Sequence, residues 1–120
     1  MLSLSHHQRI FLARAMTDMR KGADSLAALV SSLLGQDPLS GDAFIFVNRR
    51  RSMVKMLVWD VSGYWVASKR LERGTFAVRG RMSQSMTAQG SVPLSHAELL
   101  NILEGIDVRQ AAYHQHYHGK

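Results

Sequence analysis

Short apolar runs of strand length, separated by turn residues, occupy the middle of the chain and constrain its fold most strongly. They cover residues 43–47, 53–59, 64–71 and 75–78. The runs are rich in β-branched and aromatic residues, which favour strands. The connections are short, and the last, residues 72–74, ends in a glycine suited to a hairpin loop. The pattern predicts an antiparallel β-meander.

Side-chain alternation indicates how these strands are buried. In residues 53–59, Val54, Met56 and Val58 share one face, which we expect to point to the core. Residues 9–16 fit either a short strand or a ragged first turn of a helix, and the strand is favoured. The sheet is therefore predicted to contain four or five strands.

Two segments have helical spacing. Between residues 18 and 34 the apolar positions recur every three or four residues, and Gly35 can end that helix. Further on, Ser95 and Glu98 match a capping box, followed by a stripe of Leu99, Ile102, Leu103 and Ile106. We expect the two apolar stripes to share one core.

Length and composition suit one compact domain: the chain has 120 residues, 46% of them hydrophobic, and two prolines. We predict a single α+β domain over residues 1–107, an antiparallel meander of four to five strands with two helices packed on one face. Residues 82–91 are polar and predicted to form a loop. Residues 108–120 contain histidine and tyrosine but few apolar residues, and are predicted to be a flexible C-terminal tail.

Several classes of protein are excluded or disfavoured. The absence of cysteine excludes disulfides and thiolate metal sites. The first 20 residues lack the apolar core of a signal peptide. No stretch approaches the roughly 18 apolar residues that would span a bilayer. We therefore expect a cytoplasmic protein that does not associate with membranes.

Positive charge is concentrated in one segment. Residues 49–81 contain nine basic and two acidic residues, a local net charge of +7, whereas the remainder of the chain sums to −1. Such clustering creates a local potential that attracts polyanions. Nucleic acid is therefore the first partner to consider.

The run Arg49, Arg50 and Arg51 is the strongest candidate site, because three guanidinium groups in one hairpin loop can make forked hydrogen bonds to phosphate oxygens. The full predicted nucleic-acid-binding set is Arg49, Arg50, Arg51, Lys55, Lys69, Arg70 and Arg73. The alternative interpretation is that these charges are solvated and discourage aggregation at the sheet edge.

Other patterns support weaker hypotheses. Trp59, Tyr64 and Trp65 could stack on unpaired bases, although tryptophan in a small sheet more often packs in the core. The alternating histidines of residues 114–118 could chelate a metal, but a flexible tail does not orient its ligands. Asp18, Asp60, Glu72 and Asp107 are scattered along the chain. We therefore predict no catalytic residues, no metal site and no cofactor.

An ordered set of short motifs resembles one known family. The motifs include TDMRKG at residues 17–22, NRRR at 48–51, WD at 59–60, KRLE at 69–72 and LEGID at 103–107. Together they resemble the TnpB accessory protein of insertion sequences of the IS66 class. Ser52 stands where an acidic residue often follows the arginine run in that family.

The resemblance implies a small protein, encoded beside a larger transposase in bacterial mobile elements, that assists transposition. It implies the transposase and a sister accessory protein as partners, and carries over no catalytic residues. We expect a non-catalytic accessory protein that contacts the DNA backbone through the basic hairpin loop. The alternative is a protein-interaction module that binds the transposase or the sister protein without touching DNA.

Overall fold

The computed structural model describes residues 4–5, 7–82 and 90–104, which build a five-stranded mixed sheet with helices on both sides. The strands are β1 (Ile10–Ala13), β2 (Ala43–Val47), β3 (Met53–Asp60), β4 (Gly63–Arg70) and β5 (Ser91–Leu94). Their order across the sheet is β4-β3-β2-β1-β5. The predicted α+β class and number of strands are confirmed.

Strand pairing combines a meander with a crossover. β2, β3 and β4 pair antiparallel in sequence order, as predicted. β1 runs parallel to β2, and helix α1 (Ala23–Ser32) connects them, because parallel neighbours need a long crossover. β5, which was not predicted, pairs antiparallel with β1.

The two long helices lie on opposite faces of the sheet, so the prediction that both pack on one face is wrong. Leu26 and Val30 of α1 join the cluster that contains Phe44 and Phe46. Helix α3 (His96–Leu103) places Leu99 and Ile102 in the other cluster. Consecutive residues of a strand point to opposite faces, and β2 is buried at every position. Both faces of the sheet therefore need a cover.

Residues 75–78 do not form the predicted fourth strand of the meander. They run across the face that α3 covers, with Phe76 1% exposed and Val78 fully buried in that core cluster. The backbone N–H of Phe76 donates to the carbonyl of Arg51 at 2.7 Å. The short helix α2 (Arg79–Met82) follows. The apolar alternation thus reflects packing against the sheet rather than pairing within it.

The helix ends follow the sequence signals. Gly22 is the N-cap of α1, and Gly35 after that helix has φ +64°, the left-handed conformation that glycine tolerates. The predicted capping box of α3 is confirmed: Glu98 N–H donates to Ser95 Oγ at 3.0 Å, and Ser95 N–H donates to Glu98 Oε1 at 2.8 Å. Ile106 and the predicted tail, residues 108–120, lie outside the described residues.

None of the helices in the described part of the chain has the length and apolar character required to cross a membrane.

Candidate nucleic-acid interface

The arginine run lies at one end of the sheet, where several segments meet. β2 ends at Val47, β3 begins at Met53, and β4 ends at Arg70, which pairs with Met53. Thr17 N–H donates to the Val47 carbonyl at 2.9 Å and brings in the segment after β1. We call this the basic end, comprising residues 17–21, 48–52 and 70–74.

Opposite charges collect at the other end of the sheet. Asp37 and Asp42 precede β2, and Asp60 closes β3. Arg9 also lies at this end, and its Nη2 forms an ion pair with Asp42 Oδ2 at a distance of 2.8 Å. The fold therefore separates charge along the direction of the strands.

The turn between β2 and β3 is held together by Asn48. Its Oδ1 accepts hydrogen bonds from the backbone N–H groups of Ser52 at 2.9 Å and Met53 at 3.0 Å, while its Nδ2 donates to Ser52 Oγ at 3.2 Å. Arg51 has φ +56°, in the left-handed region that most side chains avoid. The backbone and Asn48 fix the turn, so the three arginine side chains are not needed to hold it.

The segment after β4 docks against this turn. Leu71 N–H donates to the Ser52 carbonyl at 2.8 Å, and Phe76 N–H donates to the Arg51 carbonyl at 2.7 Å. These two bonds bracket Arg73 and fix where its segment lies. Arg70 and Arg73 are thus brought to the same end of the sheet as the arginine run.

The arginines of residues 48–52 and 70–74 differ in their partners from the ion-paired arginines of the chain. Arg9, Arg20 and Arg81 each form an ion pair, with Asp42, Asp18 and Glu98 respectively. Among the arginines whose side chains the structure describes, five have a guanidinium group with no hydrogen bond or ion pair to the described protein: Arg49, Arg50, Arg51, Arg70 and Arg73. Their side chains are exposed, apart from that of Arg51, which is half-buried.

The two predicted lysines are already engaged and lie on opposite faces of the sheet. Lys55 Nζ donates to the Lys21 carbonyl at 2.8 Å, beside the start of α1. Lys69 Nζ donates to the carbonyl of Leu103, at the end of α3. Each lysine ties a helix terminus to the sheet. Because the two lysines lie on opposite faces of the sheet, their ammonium groups point to different sides of it.

The basic end contains two acidic residues, Asp18 and Glu72, and Asp18 forms an ion pair with Arg20. The hydrogen bond from the Arg20 side chain holds the pKa of Asp18 at about 2, so this carboxylate stays ionised and paired. Asp60 lies at the far end, where it accepts from Trp65 Nε1 at 3.1 Å. No group of three or more potential metal ligands occurs among the described residues, and Asp107 lies outside them.

The aromatic residues considered for base stacking are separated from the arginines. Trp59 and Tyr64 meet edge to face, with ring centroids 5.1 Å apart, next to the turn at the far end. Trp65 is 55% exposed on the opposite face of β4 from Tyr64. Trp59, Tyr64 and Trp65 therefore lie toward the opposite end of β3 and β4 from the arginine turn.

The role of Asn48 was missed by sequence reasoning. An asparagine at the start of a loop often bonds the backbone of residues further on, so the signal was present in its position before the arginine run. The same applies to Ser52, whose hydroxyl and backbone complete the turn.

Comparison with known proteins gives a family and two relatives. The model of a family described as "IS66 Orf2 like protein" matches residues 8–113. Uncharacterized protein y4hO of Sinorhizobium fredii is 36% identical over 109 residues, covering 91% of this chain and 90% of the relative. Uncharacterized protein y4jC of the same organism is 33% identical over 107 residues, covering 89% and 86%. No solved structure matches.

Proposed function

The chain belongs to the family of IS66 Orf2-like proteins, and from this premise we propose that it is a non-catalytic accessory protein of insertion-sequence transposition whose basic end contacts DNA phosphates. The same family membership supports the transposase and a sister accessory protein of the element as its further partners.

The observation that carries the DNA proposal is the set of five unpaired guanidinium groups at the basic end. Arg9, Arg20 and Arg81 each pair with a carboxylate, whereas these five guanidinium groups lack such a partner and leave fork-shaped donors available to a partner outside the chain. Phosphate oxygens match that geometry, and such charge-assisted bonds are among the stronger hydrogen bonds.

The turn suits this role because its shape is set before binding. Asn48 and the bond from Phe76 N–H fix the backbone that bears Arg49, Arg50 and Arg51. A partner then needs to order only side chains, which lowers the entropic cost of association. Lys55 and Lys69 serve in this proposal to hold the helices against the sheet, through their bonds to the Lys21 and Leu103 carbonyls.

Backbone contacts of this kind fix position on a duplex and do not read its sequence. Selection of the element's ends therefore falls to the transposase or the sister protein. The scattered positions of Asp18, Asp60 and Glu72 support a non-catalytic role, since two-metal nucleases gather carboxylates around their ions. Incubation of the purified protein with supercoiled plasmid and Mg²⁺ or Mn²⁺ should produce no nicking.

Salt-dependent titration of a labelled duplex tests the proposal. Five arginine–phosphate contacts predict a slope of about −4.5 in log K against log[salt], at −0.9 per contact. The variant Arg49→Ala/Arg50→Ala/Arg51→Ala should reduce the slope to about −1.8 and weaken all duplex sequences alike. The matched triple substitution to lysine keeps the charge and should keep the slope near the wild-type value.

An ion-paired arginine provides the second control. Arg81→Ala removes one positive charge from a residue already bound to Glu98, so it should change the slope much less than Arg50→Ala does. If the folded triple alanine variant keeps its affinity and slope for DNA but no longer binds the transposase, the arginines serve protein contact and the protein-interaction module is the correct function.

A further inference from the structure

The two edges of the sheet are protected very differently. The β5 edge is four residues long and contains Pro93, which has no N–H to offer a neighbouring strand. The β4 edge is eight residues long, contains no proline and is largely exposed. A long edge strand with unpaired backbone groups is a template for another strand.

The alternating direction of the backbone hydrogen bonds along β4 identifies which of its N–H and C=O groups point away from β3. Leu71 N–H bonds the Ser52 carbonyl, so residue 71 points toward β3. Backbone groups alternate in direction along an antiparallel strand, so residues 63, 65, 67 and 69 also point toward β3. The N–H and C=O groups of Tyr64, Val66, Ser68 and Arg70 therefore point away from the sheet.

We propose that this edge pairs antiparallel with β4 of a second copy of the chain, about a two-fold axis at Ala67, to form a continuous ten-stranded sheet. The proposal goes beyond the DNA-binding function and does not depend on it.

The position of the two-fold axis follows from which residues of β4 point outward and from the length of the strand. Outward-facing residues must pair with outward-facing residues, so the axis passes through one residue and not between two. Placing it at Ala67 joins Val66 to Ser68 and Tyr64 to Arg70 of the other copy, which uses all four outward positions of the strand. Moving the axis to Val66 would pair Arg70 with Ser62, which lies in the turn.

Side chains are complementary in this register. Trp65 of each copy faces Lys69 of the other on the α3 side, and Tyr64 faces Arg70 on the α1 side. Trp65 is 55% exposed within one copy, so its ring is available to the aliphatic stem of Lys69, whose ammonium bonds the Leu103 carbonyl. Cations over aromatic faces attract, and neither basic residue faces its own equivalent.

The blunted β5 edge limits the assembly to two copies, because each copy has one suitable edge. The antiparallel pairing also directs the two basic ends in opposite directions along the dimer, so the two positive regions lie far apart. The pairing therefore does not bring the two arginine turns together.

Single-cysteine variants test the register directly, because the chain contains no cysteine. Two Ala67 residues at the axis form a non-hydrogen-bonded pair with Cα atoms about 4.5 Å apart, within disulfide range. Ala67→Cys should give a crosslinked dimer under mild oxidation at micromolar concentration. Ser68→Cys is the matched control: it lies about 7–8 Å from its equivalent and should crosslink little. Crosslinking at position 68 in preference to 67 overturns the register.

Analytical ultracentrifugation tests the association itself. Wild-type protein should show a concentration-dependent dimer. Val66→Pro removes one outward-pointing N–H from each copy, and so two hydrogen bonds from the dimer, without breaking a bond to β3. It should therefore raise the dissociation constant of the dimer by about 10- to 100-fold. Val66→Thr keeps the N–H and should dimerise normally. A wild-type protein that stays monomeric up to about millimolar concentration, together with no crosslinking of Ala67→Cys, overturns the proposal, whether or not Val66→Pro folds.

Discussion

Replacing Asn48 by alanine should loosen the arginine turn without removing any charge from it. In the folded protein the Asn48 side chain accepts from two backbone N–H groups and donates to Ser52 Oγ. Asn48→Ala removes all three bonds and leaves Arg51 in a left-handed conformation with less to hold it there. The turn should then sample other conformations.

The expected loss of stability follows from these bonds. Two backbone hydrogen bonds at about 0.5–1.5 kcal/mol each give a loss of about 1–3 kcal/mol. With a urea m-value of about 1–3 kcal/mol/M for a small protein, the unfolding midpoint should fall by about 1 M at unchanged m. Ser52→Ala is the matched control: it loses only the bond from Asn48 Nδ2 and should cost less than about 1 kcal/mol.

Binding to a duplex separates the shape of the turn from its charge. In Asn48→Ala all five arginines remain, so the salt slope should stay near the wild-type value while affinity at each salt concentration falls. Ordering the loosened turn at a cost of about 1.4 kcal/mol would weaken binding about tenfold. The reasoning is refuted if the variant unfolds at the wild-type urea midpoint, or if the slope falls as it does in the triple alanine variant.

Three further predictions concern the two cores and the helix caps. Leu26→Ala should cost about 2–5 kcal/mol and Ile102→Val about 0.5–1.5 kcal/mol, and in urea unfolding the double variant should equal their sum within about 0.5 kcal/mol, because the residues lie on opposite faces of the sheet. A larger coupling would mean a shared core. Gly90→Ala should lower the thermal midpoint strongly, because a Cβ there would lie 2.1 Å from the Leu33 carbonyl oxygen, whereas Gly80→Ala meets nothing within 4 Å and should be tolerated. The backbone hydrogen bond from Ser95, with Arg81 nearby, lowers the pKa of Glu98, so its contribution to stability is present at neutral pH and is lost as the pH falls through that lowered pKa. Glu98→Gln should therefore flatten the acid limb of a stability–pH curve, and an unchanged limb would count against the capping box as its source.

The central strands and both long helices were predictable because their signals are local. β2 was predicted with its observed bounds, β3 to within one residue at its end and β4 to within one residue at each end, and the Ser95–Glu98 capping box predicted the start of α3. Residues 75–78 were wrongly predicted to be a strand, since alternation of Phe76 and Val78 is equally compatible with a strand and with an extended segment lying on a sheet. β5 was missed because it is four residues long and contains Pro93.

The placement of the helices was predictable in principle but not from alternation alone. Alternation predicted that the face of β3 with Val54, Met56 and Val58 points to the core, yet Leu57 on the other face is also fully buried, against α1. The better signal was the unbroken apolar run of β2, which is typical of strands buried on both faces. The pairing of β1 with both β2 and β5 depends on contacts distant in sequence, which local patterns do not encode.

The candidate site was predictable in its composition but not in its internal partners. Clustering of charge identified the seven basic residues, whose role in binding remains a prediction. Sequence could not show that Lys55 and Lys69 each donate to a backbone carbonyl on opposite faces, or that Arg70 and Arg73 remain unpaired. Those differences arise from the registers of β3 and β4 and from where the helices end.

The separation of positive and negative groups toward opposite ends of the sheet gives the molecule an electric dipole moment along its strands. In the field of a polyanion, such a dipole experiences a torque as well as an attraction. The torque acts within a few screening lengths of about 8 Å at physiological ionic strength. Under the proposed function, a single copy of the chain would turn its arginine turn toward DNA before the surfaces meet, and a larger fraction of diffusional collisions would arrive in a productive orientation. In the proposed two-fold dimer the two dipoles oppose each other, so this steering belongs to the monomer.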